Sequence, residues 1–285
     1  MNIVLFYNGQ RGLSVLKKIN KNHNVSLIIL ENKIFLKKTK KINKNVIISK
    51  RINSKKIIDI LKKIKNSIFV VAGFSQIFKK SILKISKVIL NLHAGKIPEY
   101  RGGSPLNWQI INNEKYFGLS ILKMTKGIDN GPVYLQKKFK LKKQYTIVNL
   151  HKIANSEFPK MVNKVLNNIH NTTPKKQLKK KAKYWFQRRD IDGKIWFNEY
   201  SGNKIVRLTK ALQKPYPYAW CLGKKNQKIR ICEVIETNKK IKGPIGLVRI
   251  FNDIVYLKCI SKNLIIRKYY YEKKRKKILD YEVLQ

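Results

Sequence analysis

Residues 1–30 read MNIVLFYNGQRGLSVLKKINKNHNVSLIIL. Two short apolar runs, Asn2 to Tyr7 and Val25 to Leu30, are rich in Ile, Val and Leu and lack regular polar alternation. Between them, Asn8-Gly9 opens a segment with apolar residues at helical spacing through Leu16. A strand apolar on both faces belongs inside a parallel sheet, and parallel neighbours need a helical crossover. The stretch therefore predicts a strand–helix–strand unit with a right-handed connection.

The same alternation continues along the chain. Val46 to Ser49, Ser67 to Ala72 and Val88 to Leu92 read as strands, and Ile57 to Ile64 as a helix. Phe74 to Ile85 reads as a loop and helix. After a helix at Pro105 to Ile111, with Ser104 as its N-cap, come strands at Leu119 to Met124 and Val133 to Leu141. A long amphipathic helix spans Thr146 to Ile169. The fold class expected is α/β: a Rossmann-like, mostly parallel sheet with helices on both faces.

The texture changes beyond residue 170. Residues 171–184 are polar and lysine-rich, with Pro174, and read as a linker between a domain at 1–170 and another at 185–285. In the latter, a helix at Ile205 to Leu212 precedes five short strands: Trp220 to Leu222, Lys228 to Val234, Gly246 to Phe251, Ile254 to Lys258 and Asn263 to Lys268. Several short strands with turn signals predict a small β-rich domain, an OB-like barrel. The run KKRKK at 273–277 reads as a solvated face.

Lys and Arg total 64 against 15 Asp and Glu, a net charge of +49 that favours anionic ligands. Lys, Asn and Ile share A/T-rich codons and all are abundant, and the lysines are scattered rather than clustered. That spread points to compositional drift more than to a dedicated polyanion surface. The three cysteines, Cys221, Cys232 and Cys259, have no metal-ligand spacing and read as reduced thiols of a cytoplasmic protein. The start reads as a first strand rather than a signal peptide, and no apolar stretch is long enough to span a bilayer.

The chemistry concentrates in NLHAGKIPEYRGGSPLNWQIINNEKYFGLSILKMTKGIDNGPVY, residues 91–134. Asn91 and His93 alternate along one strand end and face the same way. Asp129 follows the next strand in a glycine-bounded turn, and chain reversal could return it to the same edge. An imidazole can accept an amine's proton, an amide can hold an oxygen that gains charge, and a carboxylate can orient the imidazole. From the residues alone, a structural hydrogen-bonding role for His93 and turn chemistry for Asp129 remain open. No GxSxG elbow is present, and His23, His151 and His170 show no zinc-like spacing, so no metal site is expected.

Asn-Leu-His, Ile-Pro, Tyr-Arg-Gly, a Pro-containing helix start and Gly-Ile-Asp-Asn-Gly together resemble the signature of the folate-dependent formyltransferases. That superfamily includes methionyl-tRNA, glycinamide ribonucleotide and sugar N-formyltransferases, the last serving surface-polysaccharide pathways. The likeness runs from Met1 to about Ile169 and extends through RRDIDGKIWFNEYSGNKIVRLTKALQKPYPYAW, residues 188–220. It implies Asn91, His93 and Asp129 as catalytic residues and 10-formyltetrahydrofolate as donor. It further implies a pterin lying against Phe74, Ser75, Gln76 and Ile77 and the loop with Met124, Gly127 and Ile128. Family members are often dimers, so a homodimer is also implied.

Local texture resembles the sugar enzymes more than the tRNA enzymes. Tyr7 to Gly12 replaces a Gly-Thr-Pro turn, the basic segment Glu31 to Lys44 is short, and Ser-Pro-Leu-Asn-Trp stands at 104–108. The acceptor expected is the amine of a nucleotide-linked amino sugar, with methionyl-tRNA as the alternative. A basic RNA-binding protein that keeps the fold without activity is the non-enzymatic alternative. Arg101, Gly102, Gly103 and Ser104 are candidate substrate contacts, since glycine permits close approach and Ser104 opens a helix.

Overall fold

The computed structural model describes residues 1–272 and 277–285, so four of the five residues of the KKRKK run lie outside the described residues. The elements in chain order are β1 (Asn2–Tyr7), α1 (Gly9–Asn22), β2 (Asn24–Leu30), α2 (Leu36–Lys40), β3 (Val46–Ile48), α3 (Lys55–Lys63), β4 (Ser67–Ala72) and α4 (Lys80–Leu83). There follow β5 (Ile89–His93), β6 (Arg101–Gly102), α5 (Pro105–Ile111), β7 (Tyr116–Lys123), β8 (Val133–Lys140), α6 (Ile147–Asn167) and β9 (Tyr184–Trp185). The rest are α7 (Gly202–Ala211), β10 (Ala219–Gly223), β11 (Gln227–Thr237), β12 (Val248–Phe251), β13 (Ile254–Leu257) and β14 (Asn263–Tyr271).

The chain divides into two compact units. The first comprises Met1–Pro105, Tyr116–Lys140 and His151–Trp185. Its seven-stranded sheet has the order β3-β2-β1-β4-β5-β7-β8. Strands β3, β2, β1, β4 and β5 are parallel, and β7 and β8 run antiparallel to their neighbours. Chain order reverses between β1 and β4, the arrangement that opens a crevice at the carboxyl ends of strands.

Burial explains the uninterrupted apolar runs. Val4 and Phe6 join Leu27, Ile29, Phe69 and Val71 in one core cluster with Ile57 and Leu61 of α3. The Phe6 ring meets Phe69 and Phe78 edge-on at 5.3 and 5.1 Å. Ile3, Leu5 and Tyr7 alternate with these residues and are equally buried, so both sheet faces are covered. Helix α1 continues to Asn22, beyond the apolar segment ending at Leu16, because Ile19 is buried while its lysines and Asn22 face solvent.

One buried polar contact in this unit bears on stability. The Arg11 Nη2 of α1 lies 3.4 Å from His151 Nδ1 of α6, with the guanidinium over the Phe158 ring. Burial first, and the Arg11 charge second, push the imidazole down from 6.5 to about 4. A depressed base binds its proton more readily in the unfolded chain. Its stabilisation is therefore complete above pH 6.5 and is lost as pH falls toward 4. At pH 5 the loss should be about 2 kcal/mol relative to pH 7.5. Urea unfolding of wild type and His151→Gln at both pH values checks this, and an equal pH dependence in the two proteins would count against it.

The second unit comprises Leu106–Lys115, Leu141–Leu150 and Phe186–Gln285. Its five-stranded sheet has the order β10-β11-β14-β13-β12, antiparallel throughout. Residues 281–285 bridge the two edges. Leu284 N donates to Gly246 O and Val248 N to Glu282 O on one side, while Leu222 and Gln285 exchange both backbone hydrogen bonds on the other. The tail thus closes the sheet into a small barrel and protects its edges. Cys221, Cys232 and Cys259 are buried free thiols. Burial pushes the Cys221 and Cys232 thiols up, and that of Cys259 up to about 12. Among the described residues, no helix is long and apolar enough to cross a membrane.

Candidate active site

Strand β5 ends in Asn91, Leu92 and His93, and its antiparallel partner β7 fixes the register by pairing Asn91 with Leu122 and His93 with Ser120. The two polar side chains share a face, as the period of two requires. Strand β7 ends at Lys123, and the loop 124–131 turns back toward β5. It carries Asp129 at a left-handed φ of 45°. The Asp129 carboxylate accepts from Asn91 Nδ2 at 3.0 Å and from Gly102 N at 2.9 Å. Its Oδ2 lies 3.4 Å from His93 Nδ1. Three residues spread over 38 positions therefore meet at one point.

His93 is deeply set, with 6% of its side chain exposed. Its Nε2 lies 2.5 Å from the Tyr100 carbonyl, which can only accept, so that nitrogen carries a proton. The neutral ring can then donate to the carbonyl alone, and the protonated ring to both carbonyl and carboxylate. The turn after β5 is held by buried polar groups. Ser120 Oγ donates to Gly95 O at 2.7 Å, and Ile97 N donates to Gln136 Oε1 at 2.7 Å.

An open cleft of about 150 Å³ adjoins Asn91 and Asp129. Its walls are Gln76, Ile77 and Phe78 on one side and Leu122 to Asp129 with Gly131 on the other. Ile77 and Ile128 are 82% and 66% exposed and place apolar surface on both walls of the cleft. Of the sequence-derived cofactor residues, Gln76, Ile77, Met124, Gly127 and Ile128 line this cleft. Phe74 and Ser75 are not among its walls. The Phe74 ring packs edge-on against Phe6 and Phe78, and Ser75 donates through its backbone and hydroxyl to Glu31 Oε1.

The segment 101–104 is built into the protein. The Arg101 guanidinium is buried and donates to Gln177 Oε1 and Tyr184 Oη. Gly102, at φ 89°, pairs with Trp185, and a Cβ there would lie 2.2 Å from the Trp185 carbonyl. The close approach that this glycine permits is therefore to the chain itself. Ser104 is buried, with a φ of 48°.

Family models agree with this architecture. Residues 1–166 match the model described as formyl transferase, and residues 189–282 match its C-terminal domain. The chain belongs to the formyltransferase family. The bifunctional polymyxin resistance protein ArnA of Wigglesworthia glossinidia brevipalpis is 33% identical over 265 residues, covering 90% of this chain and 38% of that one. A methionyl-tRNA formyltransferase of Caldicellulosiruptor saccharolyticus is 34% identical over 146 residues, 50% of this chain and 47% of that one. The chain thus spans less than half the length of these two relatives. Among solved structures, an N-formyltransferase of Helicobacter canadensis in complex with folinic acid and dTDP-3-aminofucose superposes with a TM-score of 0.72 at 20% identity, covering 93% of this chain and 98% of that one.

Several residues that shape the site of this family member carried no signal in its sequence. Gln136, Ser120 and the Tyr100 carbonyl support the His93 turn, and Gln177 sits in an otherwise lysine-rich run. Amide and hydroxyl side chains or backbone carbonyls look alike wherever they stand, so only contact reveals them. Among the described residues, no three His, Cys, Asp or Glu side chains converge as metal donors.

Proposed function

We propose that this chain transfers a formyl group from 10-formyltetrahydrofolate to the primary amine of a nucleotide-linked amino sugar. The observation that carries the reading is the meeting of Asn91, His93 and Asp129 beside a cleft with exposed aliphatic walls. Those walls fit a flat heterocycle, since Ile77, Ile128 and Met124 offer apolar faces beside the backbone polar groups of the 123–131 loop. When bound there, the donor supplies an activated formyl carbon. The chain's own residues do the rest. Asn91 supplies an amide to the oxygen that gains charge, His93 accepts the proton released by the attacking amine and returns it to the donor nitrogen as that nitrogen's bond to the formyl carbon breaks, and Asp129 holds both in register. Asn91 and Asp129 line the cleft and His93 does not, so the proton reaches His93 through a water.

The acceptor reading draws on the likeness to the Helicobacter enzyme, whose complex holds a dTDP-linked amino sugar, and on the sequence texture at 7–12 and 104–108. Methionyl-tRNA is the second reading. It is favoured by the 34% identity to a tRNA enzyme and by a charge of +49, which would attract RNA. The test is formyl transfer by purified protein from 10-formyltetrahydrofolate to dTDP-, UDP- and GDP-linked 3-amino and 4-amino sugars and to methionyl-tRNA in parallel, with His93→Ala as control. Turnover of methionyl-tRNA alone would move the assignment to the second reading, and transfer to no acceptor would count against both.

The donor site makes its own prediction. Ile128→Ala removes part of an exposed apolar wall. It should raise the dissociation constant for 10-formyltetrahydrofolate by about tenfold, the worth of partly burying one aliphatic side chain. Fluorescence titration checks this, and unchanged affinity would place the donor elsewhere.

A further inference from the structure

We infer that Gln177 is a positioning residue for Asp129, clamped in turn by Arg101; the inference rests on the formyl-transfer reading of the site. Asp129 occupies the left-handed backbone region at φ 45°, a conformation that Asp adopts at modest cost and that hydrogen bonds to the turn's carbonyls can hold in place. Gln177 supplies the hold. Its Nε2 donates to Asp129 O at 2.9 Å and to Gly131 O at 2.6 Å, spanning the turn that presents the carboxylate.

The other end of the same amide is equally occupied. Gln177 Oε1 accepts from Arg101 Nε at 2.9 Å and from Nη2 at 2.7 Å. Arg101 is 5% exposed and also donates from Nη1 to Tyr184 Oη at 2.7 Å. All four hydrogen-bonding positions of the Gln177 amide are therefore used, two as donor and two as acceptor. The arrangement fixes the amide's orientation, because a flipped amide would set NH2 against the guanidinium and oxygen against two carbonyls. Glutamate cannot substitute, since a carboxylate can accept from Arg101 but cannot donate to the carbonyls.

The clamp is anchored in the chain that carries it. Lys175 and Val133 exchange backbone hydrogen bonds at 2.8 and 2.9 Å, which brings the lysine-rich stretch alongside the start of β8. Gly102, next to Arg101, donates its N–H to Asp129 Oδ2. Two segments joined by the Arg101–Gln177 contact thus grip Asp129, the one with Gln177 by its backbone and the one with Gly102 by its carboxylate. The lysines around Gln177 leave this task to the one side chain that both donates and accepts.

The test uses Gln177→Ala and Gln177→Glu, each alone and combined with Asp129→Asn, in the full chain. In both single variants, kcat should fall by about 10- to 100-fold while KM for the donor and for the amine that wild type accepts stays within about twofold. In the Asp129→Asn background, neither substitution should lower kcat further, because its effect passes through Asp129. Amide hydrogen exchange in residues 126–131 should accelerate about tenfold in both variants, a readout independent of turnover. A wild-type kcat in Gln177→Glu, a multiplicative loss in the Asp129→Asn background, or unchanged exchange in the loop would overturn the clamp. If wild type transfers no formyl group while the variants' loop still loosens, the reading of the site falls and the exchange result supports the clamp on its own.

Discussion

Replacing His93 by alanine should lower kcat for formyl transfer by about 10³-fold or more, while affinity for 10-formyltetrahydrofolate stays within about twofold of wild type. Asymmetry between the two effects follows from placement. His93 is buried behind Asn91 and Asp129 and does not line the cleft, so its removal leaves the walls intact. The proton released by the amine, however, loses its base. The other ionisable side chains lining the cleft are Lys123 and Lys126, which are cations, and Asp129, whose carboxylate already accepts from Asn91 and Gly102. The measurement is steady-state kcat at saturating donor beside a fluorescence titration of the donor. Activity within tenfold of wild type would mean that the proton goes to Asp129 and that His93 serves the fold.

Gly95→Ala should also be damaging, although it replaces no side chain of the site. A Cβ at this position would lie 2.4 Å from His93 Nε2 and 2.5 Å from the Tyr100 carbonyl oxygen. Neither neighbour yields easily. The imidazole is pinned between that carbonyl and Asp129, and the Gly95 carbonyl accepts from the fully buried Ser120. Either the ring swings away from the carboxylate or the turn opens. We expect kcat to fall by about 100-fold, the consequence of a displacement near 1 Å. Stability should drop by about 1–3 kcal/mol from overpacking. Urea unfolding and kcat measured on the same preparation check both parts. Wild-type values for both would show that the turn has room that this geometry denies.

The two expectations differ in how far the sequence could supply them. His93 was legible at once: it stands beside Asn91 at a strand end, within a run of motifs resembling formyltransferases. The Gly95 effect needs the fold of the 95–100 turn, which brings the Tyr100 carbonyl back onto the His93 ring. A similar limit applied to regular structure. The apolar runs of β1 and β4 coincide with their strands residue for residue, since burial on both faces leaves little choice. Helix α5 likewise begins at Pro105 and ends at Ile111. By contrast, β7 begins at Tyr116, three residues before the apolar run at Leu119, because pairing with β8 continues through Gly118 and the buried Phe117 to the exposed Tyr116. In the segment read as loop and helix from Phe74 to Ile85, the helix occupies only Lys80–Leu83. The preceding residues are held instead by Glu31, which accepts from the Ser75 and Gln76 backbones.

By itself, the sequence determined the α/β alternation and the β-rich C-terminal region and singled out Asn91, His93 and Asp129 as candidates, because hydrophobic periodicity and motif order are local and survive without coordinates. Tertiary structure alone decided that Asp129 returns to Asn91 and His93, that Gln177 and Arg101 hold its turn, and that residues 281–285 close the barrel. Those outcomes depend on backbone carbonyls, amide side chains and register between distant segments. Such groups occur throughout a chain and acquire meaning only from the partner that folding brings within hydrogen-bonding distance.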